Sequence, residues 1–225
     1  MKIQAAIFDL DGTLADTIEA IRDAINLTMV HYGYPTHTYE EIREYIGNGA
    51  KNLVLRSMPT AAAQDRAQHE RVFLTYQDNY DRGHLATNRC YDGIPELIAA
   101  LHASGVRLAV LSNKQDAFVK EIISRLFGDD LFTAVMGQSS FPPKPDPTSS
   151  LYVAKMMGVR PEQCLYIGDS DVDVETSFRA GMSFIGVGWG YRDEDTLKKA
   201  GAPVVAPNIR ALMGAIVSLS IENEE

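Results

Sequence analysis

Cysteine is nearly absent from this chain: Cys90 and Cys164 are the only two in 225 residues, and neither stands in a CxxC or Cys/His cluster. That scarcity excludes a disulfide framework and a structural zinc site, and leaves two free, mostly buried thiols as the expectation. Long apolar runs are lacking as well. Stretches such as Ala5 to Phe8 and Leu108 to Leu111 fall far short of the roughly 20 residues that cross a bilayer. No basic segment followed by an apolar core opens the sequence, so a cytoplasmic protein without a membrane partner is expected. Positive charge is scarce: 21 Lys plus Arg face 30 Asp plus Glu, a formal net charge of −9. With no basic run to offset it, that excess repels a phosphate backbone, and no nucleic-acid partner is expected. His31, His37, His69, His84 and His102 show no metal-ligand spacing and no nearby nucleophile, which leaves them as surface or packing residues.

What is present suits a folded chain. A hydrophobic fraction of 45% with 23% charged residues supplies a real core for one large domain, or for one domain carrying an insertion. Ile3 to Asp9 is an apolar run ending in an acid, with Gly12 three residues on, the pattern of a buried strand emptying into a tight loop. From Asp16 the period changes. Ile18, Ile21, Ile25, Met29 and Tyr32 recur at helical spacing, with Asp16 and Glu19 as a capping-box-like start and Gly33 as the stop. Thr38 with Glu41 opens a short helix, Gly47-Asn48-Gly49 breaks the chain, and Leu53 to Met58 is helical again. One long helix is predicted from Ala61 to about Arg82. No strand is evident in this block, so residues 16–86 form an all-helical insertion between core segments 1–15 and 87–225, with hinges near Leu14 to Asp16 and Leu85 to Asn88.

Beyond Asp92-Gly93 the rhythm alternates. Strands are predicted at Val106 to Leu111, Ala134 to Met136, Cys164 to Ile167, Phe184 to Val187 and Val204-Val205. Helices at Pro95 to Ser104, Asp116 to Leu126, Pro147 to Met157, Asp171 to Ala180 and Asn208 to Leu219 fall between and after them, several stopped by Gly. Glu222 to Glu225 are expected to be a frayed tail. Strands alternating with helices of about ten residues predict an α/β fold, a doubly wound parallel sheet of Rossmann-like topology with right-handed crossovers. In such sheets sites form beyond the carboxyl ends of the strands.

Three of those ends carry unusual chemistry: Asp9-Leu10-Asp11-Gly12-Thr13, Ser112-Asn113-Lys114, and Gly168-Asp169-Ser170-Asp171-Val172-Asp173. A fourth segment, Pro142-Pro143-Lys144-Pro145-Asp146-Pro147, fixes one lysine among four prolines. Asp9, Asp11, Asp169 and Asp173 brought together without a cation would repel one another, and at least one would protonate. A hard divalent ion removes the conflict, and Mg²⁺ commonly completes its shell with substrate phosphate. Ser112 and Asn113 can donate to phosphate oxygens while Lys144 offsets their charge. Within the first loop Asp9 is the candidate nucleophile and Asp11 the candidate general acid/base, the pair required to form and then break an aspartyl phosphate.

These four ordered segments resemble the motifs of the haloacid-dehalogenase-like hydrolase superfamily, over Ile3 to about Val187. The resemblance implies a Mg²⁺-dependent phosphatase with a small helical cap. It implies metal held by the carboxylates of Asp9 and Asp169 and the Asp11 carbonyl, Asp173 supporting the metal or Lys144, and Thr13 joining the phosphate-binding set. An acid at Asp11 disfavours dehalogenation, because the dehalogenating members lack one there. Tyr45 to Ala50, Ser112-Asn113-Lys114 and Val187-Gly188-Trp189-Gly190-Tyr191-Arg192 resemble the phosphoglycolate phosphatase branch, with Gly47, Asn48 and Gly49 as candidate specificity residues. Small phosphorylated metabolites are the implied partners, acting on a monomer or homodimer. Pyrophosphatase, sugar-phosphate phosphatase or phosphomutase activity in the same superfamily is the alternative. A phospho-accepting signalling module is the alternative outside catalysis; it would leave the insertion and Asp11 unused.

Overall fold

The structure, a computed structural model, describes residues 3–221; the tail expected at Glu222 to Glu225 lies outside them. The chain opens with β1 (Ala5–Phe8), whose four side chains are all buried. It then turns through a tight loop into β2 (Ala15–Asp16), where it leaves the first of two compact units.

The second unit, Asp16–Arg89, is helical. It contains α1 (Ile18–His31), α2 (Tyr39–Tyr45), α3 (Ala50–Ser57), α4 (Thr60–Ala63) and α5 (Arg66–Thr87). Ile18, Ile21, Ile25 and Met29 are buried on one side of α1, and Val72, Tyr76, Tyr80 and His84 recur every fourth residue along α5, which packs against α1. Each of the buried Ile, Met and Val side chains among these contributes about 1.5–3 kcal/mol. Thr38 and Glu41 form the expected capping box at α2. The reciprocal box expected at α1 does not form: Thr17 is the N-cap and its side chain bonds no helix amide, but Asp16 does mark the start, its Oδ1 accepting from the Ile18 amide at 3.4 Å while Oδ2 lies 3.7 Å from the Arg89 guanidinium. The long helix predicted from Ala61 is two helices. Asp65 accepts from the amides of Ala67 and Gln68 and so starts α5 afresh, as an N-cap aspartate does.

The chain re-enters the first unit, residues 3–15 and 90–221 as described, through β3 (Arg89–Cys90), which pairs with β2. There follow α6 (Ile94–Ala103), β4 (Arg107–Gln115), α7 (Asp116–Phe127), β5 (Ala134–Gln138) and α8 (Thr148–Met156). The last stretch comprises β6 (Cys164–Gly168), α9 (Asp171–Ala180), β7 (Ser183–Val187), α10 (Glu194–Lys199), β8 (Val205–Ala206) and α11 (Ile209–Ile221). The strands form one parallel sheet in the order β5-β4-β1-β6-β7-β8. The fold is α/β with a doubly wound parallel sheet and an inserted helical segment. Both cysteines are free, Cys164 buried and Cys90 half-buried.

Two departures matter for the site. The strand predicted to stop at Leu111 runs on to Gln115, with its register against β5 shifting between Leu111 and Gln115. Ser112, Asn113 and Lys114 therefore sit on an irregular strand rather than in a loop. A further short helix, α10, follows β7 outside the expected elements; Asp193 caps it by accepting from the Thr196 amide at 2.7 Å. Because β1 lies between β4 and β6, crossovers diverge to either side of it, and its carboxyl end is the switch point where such sheets open a crevice.

Candidate active site

Asp9 follows directly on β1 and is fixed to the neighbouring strand by its amide, which donates to Ile167 O at 2.9 Å. Gly12 follows with φ +86°, and a Cβ there would fall 2.3 Å from Asp169 Oδ2, so both the turn and the approach demand glycine. This brings the first loop against the end of β6. The Thr13 hydroxyl donates to Asp169 Oδ1 at 3.0 Å, and the Tyr191 amide donates to Asp169 Oδ2 at 2.7 Å.

Lys144 occupies the centre. Its ammonium donates to Asp9 Oδ1 at 2.9 Å, to Asp173 Oδ1 at 2.7 Å and to Leu111 O at 3.2 Å, with the side chain only 3% exposed. Asn113 holds the lysine's backbone from both sides: its amide donates to Lys144 O at 3.0 Å, and its carbonyl oxygen accepts from Lys144 N at 2.8 Å. Asp173, on the first turn of α9, accepts from the Ser170 amide at 3.2 Å while its own amide donates to Ser170 Oγ at 3.3 Å, a capping box, and it also accepts from the Ser170 hydroxyl at 2.6 Å. The Ser112 hydroxyl is buried in the same region and accepts from the Lys114 amide at 3.2 Å. Lys114 Nζ donates to Asp11 Oδ1 at 2.9 Å, an ion pair with both side chains largely buried.

Carboxylate oxygens of Asp9, Asp169 and Asp173 lie within 4.8 Å of one another. Burial pushes the Asp169 carboxyl up to about 7, and Asp173 adds to the rise. Burial likewise raises Asp9 well above the usual carboxylate range; Lys144 opposes that, while Asp173, Asp169 and Asp11 reinforce it. Burial works against the Lys144 ammonium, but Asp173 and Asp9 hold its pKa well above the ordinary lysine value. Four carboxylates against two ammonium groups leave a formal −2, the charge that one divalent ion cancels. The donor set is all hard oxygen and buried, which fits Mg²⁺.

The family model of the haloacid dehalogenase-like hydrolases matches residues 6–187. The chain belongs to that family. Among its relatives is the phosphoglycolate phosphatase of Pseudomonas putida, 32% identical over 211 residues that cover 92% of this chain and 77% of the relative. Another is the phosphoglycolate phosphatase of Vibrio vulnificus, 29% identical and covering 96% and 97% of the two chains. The crystal structure of a predicted phosphoglycolate phosphatase from Haemophilus somnus superposes with a TM-score of 0.88 at 26% identity, covering 96% of this chain and 98% of that one. This haloacid dehalogenase-like chain thus falls beside the phosphoglycolate phosphatase branch.

The first unit brings together Asp9, Thr13, Ser112, Asn113, Lys144, Asp169 and Asp173, with Asp11 joined to them through the shared loop. Gly47, Asn48 and Gly49 belong to the helical unit, between α2 and α3, where Gly47 and Gly49 have φ +116° and +80°. Sequence reasoning missed three contributors: the Lys114 partnership with Asp11, the Tyr166 hydroxyl 3.4 Å from Asp173 Oδ1, and the Tyr191 amide on Asp169. Ser170, three residues before Asp173, carried a capping-box signal that was there to be found.

Proposed function

We propose that this chain is a Mg²⁺-dependent phosphatase that hydrolyses a small phosphomonoester through an aspartyl phosphate on Asp9, with phosphoglycolate the leading substrate. The observation that carries the reading is the Lys144 ammonium between Asp9 and Asp173, with Asp169 beside them and all three carboxylates buried. Asp9 and Asp169, with the Asp11 carbonyl, would hold Mg²⁺. When bound, the ion supplies positive charge to the phosphate oxygens and keeps Asp9 ionised.

The Asp9 carboxylate attacks phosphorus, and the P–O bond to the leaving group breaks as Asp11, which must enter this step protonated and parted from the Lys114 ammonium, delivers its proton to the departing oxygen. Asp11, now a carboxylate, takes a proton from water as that water attacks phosphorus. The acyl phosphate bond breaks, Asp9 is restored and inorganic phosphate leaves. Ser112 donates to the phosphoryl oxygens and Lys144 offsets their charge. Thr13 and Asn113 act by position, since the hydroxyl of one is engaged by Asp169 and the amide of the other by the Lys144 backbone. The helical unit, carrying Gly47 to Gly49, selects the leaving group.

The test is phosphate release from phosphoglycolate, pyrophosphate, small sugar phosphates and p-nitrophenyl phosphate, with Mg²⁺ and with EDTA. Release from phosphoglycolate ahead of the others, lost in EDTA and regained with Mg²⁺, is the expected result. A preference for pyrophosphate or a sugar phosphate would reassign the substrate. Conversion of glucose 1-phosphate to its isomer would indicate a mutase. A stable phosphorylated chain without steady release would sink hydrolysis.

A further inference from the structure

The segment after β7 is not one of the four motif segments, yet it meets two of them. Gly188 N donates to Ala206 O at 2.9 Å, tying the base of the segment to β8. The next residue, Trp189, is the single tryptophan of the chain. Its indole Nε1 donates to Thr13 O at 3.2 Å, and Tyr91 supports the ring at a centroid distance of 6.4 Å. Gly190 presses directly on the side chain of Asp169: a Cβ placed there would fall 2.2 Å from Asp169 Cβ and 2.5 Å from Oδ2. The amide of buried Tyr191 then donates to Asp169 Oδ2.

Asp169 is therefore held on both oxygens and on both flanks. Oδ1 accepts from Thr13, whose own carbonyl is held by Trp189, and Oδ2 accepts from Tyr191 N. Gly12 and Gly190 close on the carboxylate at distances no other residue permits. Partners of this kind fix the direction in which a ligating carboxylate presents its remaining lone pairs, and their loss commonly costs 10- to 100-fold in metal affinity.

We propose that Trp189 and Gly190 are positioning residues for the divalent-metal site, acting through Thr13 and Asp169 without touching the ion. This rests on the metal assignment made under Proposed function. Trp189 keeps Thr13 where its hydroxyl reaches Asp169, and the missing side chain at Gly190 lets the Tyr191 amide reach the other oxygen. The same arrangement makes the lone indole a reporter of the site, two hydrogen bonds from the carboxylate.

The experiment uses the full chain, stripped of metal and titrated with Mg²⁺ alone by calorimetry, without substrate. Wild type is compared with Trp189→Phe, Gly190→Ala and Asp169→Asn, and circular dichroism verifies that each is folded. Wild type is expected to bind Mg²⁺, with a change in tryptophan emission of the same midpoint as the heat. Asp169→Asn should lose both signals. Trp189→Phe, which keeps an aromatic ring of smaller size and drops the N–H donor, should raise the dissociation constant about tenfold, and Gly190→Ala by at least as much. Trp189→Phe binding Mg²⁺ within twofold of wild type would overturn the inference, and it does so even if Gly190→Ala fails to fold. Wild-type and Asp169→Asn chains giving the same Mg²⁺ isotherm would instead overturn the metal assignment itself, and this inference with it.

Discussion

The two units bury polar groups in different ways. In the helical unit, the buried polar side chains among the described residues are Thr17, Thr28, Ser57, His84 and Asn88, none of them a carboxylate or an ammonium. Thr28 and Ser57 bond the carbonyl four residues back, a local solution inside one helix. In the sheet unit, Asp9, Lys144, Asp169 and Asp173 are buried together, and their partners come from stretches up to 156 residues away, as in the Thr13–Asp169 bond. Burying charge is costly unless it is paired, so the sheet unit carries that cost in one place, at the carboxyl ends of its central strands.

The sharpest way to break this contrast is Asp9→Asn, which is expected to lower kcat by on the order of 10⁴-fold or more in a phosphate-release assay. Asp9→Asn retaining steady turnover would remove the sheet unit's claim to the chemistry. Next in size is Lys144→Ala. It strands Asp9 and Asp173 as buried, unpaired carboxylates, and urea unfolding should show a loss of about 3–5 kcal/mol. No comparable penalty is expected from any single charge deletion in the helical unit.

The third prediction concerns pH. The Asp169 carboxyl is raised from its ordinary value of 3.8 to about 7 in the folded chain. Between those values the folded state binds the proton more tightly than the unfolded state does. This contribution is therefore fully present below about pH 4 and lost as pH rises to about 7. Asp169→Asn lacks the titration, so without metal its Tm should gain on wild type by about 5–10 °C between pH 5 and pH 8. Mg²⁺ added to wild type at pH 8 should reverse the gap, and a gap independent of pH would refute the assignment. The smallest effect is expected from Asn48→Ala in the helical unit. It should change the ratio of kcat/KM between phosphoglycolate and p-nitrophenyl phosphate by about tenfold with Tm unchanged.

The parallel sheet was legible because its strands are short apolar runs ended by Gly or Asp, as at Cys164 to Asp169. The carboxylates were legible because acids clustered after a buried strand seldom serve packing. What was not legible lies in backbone geometry. The continuation of β4 through Lys114 depends on pairing with β5 and leaves no trace in hydrophobic period. The Tyr191 contact with Asp169 uses an amide, a group every residue but proline carries. The break between α4 and α5 turned on one capping aspartate inside a stretch whose composition suits a continuous helix.

Both passages between the units run through β2 and β3, two-residue strands that pair with each other. To the six-stranded sheet, the 74 residues from Asp16 to Arg89 amount to one long excursion whose departure and return are already side by side. Closing that excursion costs chain entropy that grows only with the logarithm of its length. The length of the insert thus bears only weakly on the stability of the sheet that it interrupts.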